Sequence, residues 1–563
     1  MNEVLWSKEN DCRSCYKCIR GCPTKSIAFH HGQASIIQEE CVLCGRCYEI
    51  CPAGCKTIRD DTNKVLSLLE KKEEVRVSLA PSFFSAFEGV SFESMKKALL
   101  ALGFQDVEET ALGATLVKES YDKLLEKGDS DILISTACPS VNLLFEKHYP
   151  ELLDYLCPVL SPMLAHAELL KKKHPTSKVV FIGPCIAKKD EADRSKGLVD
   201  ASLTFLELQK LFDEKGVTLE KDSSPKKETR SLARLFPISG GILDTMRKEN
   251  KHYDYLYVDG MERCLEVIRE IKEGKIHHAF IEMSACEGSC IGGPALPKEN
   301  RNLFSGSLKI REMAGKTDFD VSFSEVSALH HEFSDKKKKE RAFSEEEIQK
   351  VLQSLGKRSK KDELNCSCCG YPSCRAKAIA VLEGKASLEM CLPFLMKKAQ
   401  SFSNTIVESM DSAILVVDEN LKIEIANPAA SKLLRLSEAE LHGRSVEDFM
   451  DTEAFGLALG GNVIHARKFH LKNSDKVVEG SLHYDPEYHI LMALLNDVTK
   501  EEKERIRKEE MLEKTAKITS EVVDKNMRAV QEIASLLGET TAETKIALTK
   551  LRDVLETGKD EGE

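Results

Sequence analysis

Between residues 12 and 52 one cysteine motif occurs twice, as Cys12-x2-Cys15-x2-Cys18-x3-Cys22-Pro23 and as Cys41-x2-Cys44-x2-Cys47-x3-Cys51-Pro52. With nine cysteines and few apolar runs, residues 1–60 cannot close a conventional hydrophobic core. Such a segment must fold around something its sulfurs bind. Three in-line cysteines at two-residue gaps turn soft thiolates inward on a tight loop, and the prolines lead the chain away. The whole chain has 20 cysteines among 563 residues. Its first residues, Met1 to Trp6, show neither a basic nor an apolar leader pattern, so the thiols are expected to stay reduced and to serve metal or redox roles.

The duplicated spacing is that of the bacterial ferredoxin run, in which the fourth cysteine of each motif ligates the other motif's cluster. Cys12, Cys15, Cys18 and Cys51 are therefore expected to hold one [4Fe–4S] cluster, and Cys41, Cys44, Cys47 and Cys22 a second. Structural zinc is the alternative, but it uses paired CxxC units without a third in-line cysteine. Cys55 is surplus to the pattern. A further unit at 345–398 contains Cys366-x2-Cys369-x4-Cys374-x16-Cys391 and resembles a small four-cysteine [4Fe–4S] domain. Zinc is again the alternative there, and Cys368 is read as a non-ligand beside Cys369.

From 74 to 330 the texture changes. Val75–Pro81, Asp131–Ser135 and Val179–Gly183 read as buried strands, with helical stretches at Glu93–Leu102 and Leu164–Lys173 between them, which indicates an α/β domain. Three segments stand at strand ends or loops: Ser135-Thr136-Ala137-Cys138-Pro139, Gly183-Pro184-Cys185-Ile186-Ala187-Lys188 and Ser284-Ala285-Cys286-Glu287-Gly288-Ser289-Cys290. Their cysteines, with Glu282, Ser239-Gly240-Gly241 and Gly292-Gly293-Pro294, resemble the signature segments of [FeFe]-hydrogenases. The resemblance implies that Cys138, Cys185, Cys286 and Cys290 hold the [4Fe–4S] part of an H-cluster. Cys290 would also bridge to a two-iron subsite with CO, cyanide and a dithiolate. It further implies that Lys188 donates to a cyanide, that Glu191 orients Lys188, and that Ala80-Pro81 lines the dithiolate side. H2, protons, a ferredoxin or other redox protein and maturation enzymes are the implied partners. A relative of this family that serves iron–sulfur assembly is the competing resemblance, and the lysine-bearing second segment argues against it.

The departures from the catalytic pattern carry as much information. Ala137 stands where catalytic members have a proton-passing cysteine, and Gly183 and Ser284 stand where they have methionines. Val141 replaces an aromatic. Glu119 is a candidate remnant relay carboxylate. A missing general acid typically costs about 10²–10⁴-fold in rate. Together with the segment described next, these departures resemble the sensory type of [FeFe]-hydrogenase.

Residues 401–500 resemble a PAS domain, with a first strand at Ala413–Asp418 and a second at Ile423–Ala426 running into a helix. The segment has no cysteine for a flavin adduct, and its histidines (His442, His465, His470, His483, His489) suggest no haem ligand. Residues 501–563 read as helical, with heptad-spaced Ala516, Val523, Val530 and Leu537 and a Thr540-to-Glu543 capping box. They contain no histidine to accept phosphate, so output is expected through another protein, a kinase or phosphatase, and through a homodimer. The run Asp335–Arg341 reads as a solvated linker, followed by a Ser344-to-Glu347 capping box. Net charge of -11 argues against a nucleic-acid partner, and no run reaches a membrane span. The expectation is a low-turnover, H2-sensing iron hydrogenase in an anaerobe's cytoplasm. A working ferredoxin-linked hydrogenase, or a redox sensor lacking the two-iron subsite, are the alternatives.

Overall fold

The computed structural model describes residues 3–8, 11–221, 229–297, 301–321, 329–339, 341–537 and 547–554. They divide into two compact units, 1–395 and 396–563. The first unit is built on two parallel sheets. One has four strands in the order Asp106–Glu109, Val75–Leu79, Lys178–Gly183, Ala201–Thr204; the other has three, in the order Asp254–Asp259, Ala279–Ser284, Ile132–Ile134. The central strands are largely buried along their length, as in parallel sheets covered on both faces. Val75, Val77, Leu79, Val179, Val180 and Ile182 are all fully buried. Strand Lys178–Gly183 ends at the second signature segment, Ile132–Ile134 at the first, and Ala279–Ser284 at the third. The two sheets thus deliver all three segments from their carboxyl ends, where open α/β folds place ligands.

The N-terminal region forms two small antiparallel pairs, Leu5–Ser7 with Lys56–Ile58 and Ile27–His30 with Gln33–Ile36. Its apolar residues (Val4, Leu5, Ile19, Ile27, Phe29) join one cluster with Ile132, Val141, Leu144, Ile281 and Met283 of the α/β domain. The region therefore has no separate core and borrows one. Helix Cys374–Leu382 of the third cysteine unit packs on Glu345–Ser354 through Ile348, Leu352 and Ala378. The Ser344–Glu347 capping box is formed.

The run from 335 to 339 is not simply solvated. Lys336 Nζ bonds both oxygens of the buried Glu146 carboxylate at 2.7 Å, and Lys336 N–H bonds Glu146 O at 2.8 Å. A buried carboxylate needs a cation, and this run provides it.

Helix Leu392–Ser409 starts at the residue after Cys391 and is continuous through residue 400. In the second unit a five-stranded antiparallel sheet runs Ile423–Ala426, Ala413–Asp418, Ile490–Asp497, Val477–Asp485, Ile464–His470. Asn427 ties its start together. The side chain accepts from Ile414 and Ala430 N–H, each at 2.9 Å, and donates to Val407 O at 3.0 Å and Ser412 O at 2.9 Å. All five histidines of this segment are exposed. Helix Thr499–Leu537 follows; the Thr540–Glu543 capping box lies outside the described residues.

Candidate functional site

The four central cysteines converge. Cys185 has Cys138 and Cys290 as electrostatic neighbours, and Cys286 has Cys185, Cys138 and Cys290. Burial, reinforced by that mutual repulsion, pushes the Cys185 thiol up to about 12 and Cys290 to about 11, and Cys286 well up. Thiols raised in this way ionise only beside strong positive charge, which bound iron supplies. Cys290 retains accessible surface even though burial dominates its shift, so its sulfur faces an enclosed space. Four soft donors around such a space fit an iron–sulfur cluster in chemical type.

Cys138 precedes helix Pro139–His148, whose proline occupies the first helical position. The backbone before it is pinned. Thr136 N–H donates to Tyr121 Oη at 2.9 Å, Asn142 Nδ2 donates to Thr136 O at 3.0 Å, and Thr136 Oγ1 donates to Val159 O at 2.9 Å. Ala137 is thus held in place against the core beside Cys138, with no ionisable group of its own. Glu119 does not supply one. Its charged neighbours are Lys123, Lys118, Asp318 and Arg247, whereas Tyr121 of the same helix reaches Thr136. Tyr121 escaped sequence reasoning because a tyrosine in a helix carries no local signal.

Lys188 is buried, and its Nζ donates to Glu191 Oε2 at 2.6 Å and to Ser161 Oγ at 2.9 Å. Ser161 also caps helix Pro162–Lys173, and nothing in the sequence had marked it. Gly183 leaves no simple gap. A Cβ there would meet the Phe181 ring at 2.7 Å and Ala80 Cβ at 3.1 Å, so a neighbouring aromatic has taken the room. Ala80, Pro81 and Ser284 are buried at the ends of their strands.

The other cysteines also gather. Cys18 has Cys12, Cys51 and Cys15 as neighbours, and Cys47 has Cys41, Cys44 and Cys22, the grouping that the crossed ferredoxin pattern requires. Cys369 neighbours Cys391. Cys366 and Cys374 lie on the same pocket as that pair. Among the described residues no three His, Cys, Asp or Glu side chains are close enough to hold a metal ion.

Buried lysines accompany these sites. Lys56, 2% exposed, donates to Ser7 Oγ at 2.6 Å and Ala34 O at 3.0 Å, and it acts on Cys18, Cys47 and Cys51. No carboxylate within ion-pair distance balances it among the described residues. Lys377, 1% exposed, donates to Ser387 O and lies over the Tyr371 ring near Cys369 and Cys391; burial lowers its ammonium to about 8. Ammonium groups buried beside thiols are accounted for by anionic clusters. This is a second, independent sign that the donor sets fit iron–sulfur groups.

The sites form a chain of neighbours. Cys44 and Cys286 line one cavity. Gly45, at φ 77°, lies so close to the α/β domain that a Cβ would meet Pro294 at 2.5 Å and Ile186 at 2.7 Å. Gly370, at φ 92°, also lies close, where a Cβ would meet Ile19 at 2.8 Å and Arg20 N at 3.1 Å. Arg20 donates to Cys15 O and to Cys368 O, each at 3.1 Å, and Lys25 has both Cys22 and Cys369 as neighbours. Glycine is what lets these backbones approach in a left-handed turn.

Four-thiol sites spaced along one unit, partly buried and with one set at the ends of two parallel sheets, define an iron–sulfur protein. Comparison with known families sharpens this. Residues 73–294 match the iron-only hydrogenase large subunit, C-terminal domain; residues 5–52 match a 4Fe–4S dicluster domain, 362–393 an Fe–S cluster family, and 402–458 the PAS fold. The chain is 27% identical over 387 residues to the periplasmic [Fe] hydrogenase large subunit of Nitratidesulfovibrio vulgaris, covering 54% of this chain and 91% of that one. It is 26% identical over 281 residues to iron hydrogenase 1 of Clostridium pasteurianum, covering 40% of this chain and about half (49%) of that relative. It is also 25% identical over 298 residues to a cytosolic Fe–S cluster assembly factor of Encephalitozoon cuniculi, covering 46% and 80%. The central domain is thus similar to the iron-only hydrogenase large subunit, with matches to dicluster 4Fe–4S, small Fe–S and PAS families on either side of it.

Proposed function

We propose that this protein detects H2 by oxidising it slowly and passes the resulting redox state to a signalling partner. Cys138, Cys185, Cys286 and Cys290 would hold the four-iron part of an H-cluster, with Cys290 shared with the two-iron part. When bound, that group would supply heterolytic cleavage of H2 and, in net, its oxidation to two protons and two electrons. Lys188, fixed by Glu191 and Ser161, would offer its ammonium to an anionic ligand of that group, where a charge-assisted bond is strongest. Proton exit is where the chain differs from a fast catalyst. Ala137 occupies the position beside Cys138, and it has no proton to exchange. That single observation carries the sensor reading: a detector must bind H2 and change oxidation state, whereas turnover needs a relay.

The cavity shared by Cys286 and Cys44 supports electron exit to the second ferredoxin-like cluster, and the Lys25 and Arg20 contacts support onward transfer to the cluster at Cys366, Cys369, Cys374 and Cys391. Cys391 is followed at once by helix Leu392–Ser409, which leads into the PAS segment, so a redox change there is well placed to move the output. Twenty free cysteines suit a reducing cytoplasm, and a homodimer through helix Thr499–Leu537 with a kinase or phosphatase as listener completes the reading.

Infrared spectra of matured protein under H2 and then inert gas test it. Iron-bound CO and cyanide bands that respond to H2 are expected. Their absence would favour an assembly or simple redox role, as in the relative that is an assembly factor. Turnover matching that of catalytic hydrogenases would instead make this a working enzyme.

A further inference from the structure

Cys55 lies outside the ferredoxin pattern, yet it is buried at 3% exposure, and its Sγ stands 3.3 Å from Cys51 Sγ. If Cys51 binds iron, its sulfur has no proton, so Cys55 must be the donor. The duplicated motif offers an internal comparison. Four residues after Cys22 stands Ser26, whose hydroxyl turns away to Glu40 O at 2.9 Å. Cys22 Sγ has only Thr24 Oγ1, at 3.7 Å. Backbone N–H groups approach sulfurs at both sites: Leu43 to Cys41 and Arg46 to Cys44 at one, Ala53 and Cys55 to Cys51 at the other. Of the two ferredoxin-like sites, only the one at Cys51 has, among the described residues, a side-chain thiol this close to a ligand sulfur, and Lys56 stands beside that pair; at the other sites Cys368 approaches Cys366 and Ser289 approaches Cys290.

We propose that Cys55 raises the reduction potential of the cluster held by Cys12, Cys15, Cys18 and Cys51, by donating an S–H···S hydrogen bond to the Cys51 sulfur. Reduction adds one electron and no proton to the cluster, and much of the added charge falls on its sulfurs. A donor therefore stabilises the reduced form more than the oxidised one. The proton stays on Cys55 throughout. The effect draws electrons toward this cluster whatever the gas chemistry of the central site, so it stands apart from the H2-sensing reading.

The test is an EPR-monitored redox titration of the full-length, cluster-loaded protein. Cys15→Ala identifies the relevant wave as the one it removes. Cys55→Ala is expected to lower that wave's potential by about 59 mV, a tenfold change for a one-electron couple, while the other waves stay put. Cys55→Ser, which keeps a donor, is expected to recover at least half of the shift. An unmoved wave in Cys55→Ala, or an equal shift of every wave, would overturn the proposal. So would loss of the cluster from both Cys55 variants with retention in Cys51→Ser, which would make Cys55 the ligand. If Cys15→Ala removes no wave, the ligand assignment fails and the proposal with it.

Discussion

Restoring a thiol at position 137 gives the sharpest test of why this pocket should be slow. In Ala137→Cys the backbone is already fixed, because the N–H, O and Oγ1 of Thr136 are all bonded. The new sulfur should therefore point where the Ala137 methyl points, beside Cys138. Restoring a general acid is worth about 10²–10⁴-fold, or about 2.7–5.4 kcal/mol of barrier at about 1.36 kcal/mol per decade. The structure favours the lower end. The group next in line is the Tyr121 hydroxyl, which burial holds protonated, and Glu119 faces other charges. One extra heavy atom in a partly buried position can cost about 1–3 kcal/mol of stability, so a melting curve accompanies the assay. The expected result is about a 10²-fold rise in H2 evolution from a reduced dye, with unchanged infrared bands. An intact infrared spectrum with no rise in turnover would refute the idea that proton delivery is what this chain lacks.

Lys188→Met should destabilise the first unit by about 3–5 kcal/mol, because it strands the buried Glu191 carboxylate; adding Glu191→Gln should recover much of that loss in thermal melts. Burial raises the Glu282 carboxyl from 4.5 to about 8, against backbone N–H bonds from Leu243, Gly240 and Ile242 that oppose the shift. Its folded state thus holds the proton more tightly than the unfolded chain. This contribution to stability is complete below pH 4.5 and lost as pH rises through 8. Denaturation across that window should show a steeper decline in the parent than in Glu282→Gln, and parallel curves would refute the assignment. Asn427→Ala removes four hydrogen bonds at once, one of them the helix cap to Ala430. It should cost the PAS unit about 2–4 kcal/mol, read by hydrogen exchange or melting.

Local regularity made much of this molecule legible. The ferredoxin motif is a fixed spacing, and spacing alone sets which sulfurs can face one cluster. The buried strands, the Ser344 capping box and the first PAS strand, found at Ala413–Asp418, follow from short-range pattern. The run at 335–339 is exposed, as its charges suggest, but its pairing of Lys336 with Glu146 was not legible because that buried carboxylate lies far away in sequence. At Gly183 the room a larger side chain would need is held by the Phe181 ring, two residues back on the same face of strand Lys178–Gly183, and by Ala80 from the neighbouring strand's end, which only the folded sheet brings there.

By itself the sequence determined the types of donor and their groupings: crossed ferredoxin motifs, three signature segments, and a missing thiol at Ala137. It could do so because ligand chemistry depends on residue identity at short range. Tertiary structure alone decided what surrounds those donors. It brought Tyr121 to Thr136, Ser161 to Lys188, Lys56 and Lys377 into buried places beside thiols, and Cys55 to Cys51. Most of these partners come from segments separated in the chain and act through burial and electrostatics; Cys55 is only four residues from Cys51, and there it is the local backbone path and its burial that the cysteine spacing leaves unstated. Cys55 shows the difference: surplus in the motif, it becomes a donor once the fold sets its sulfur beside a ligand.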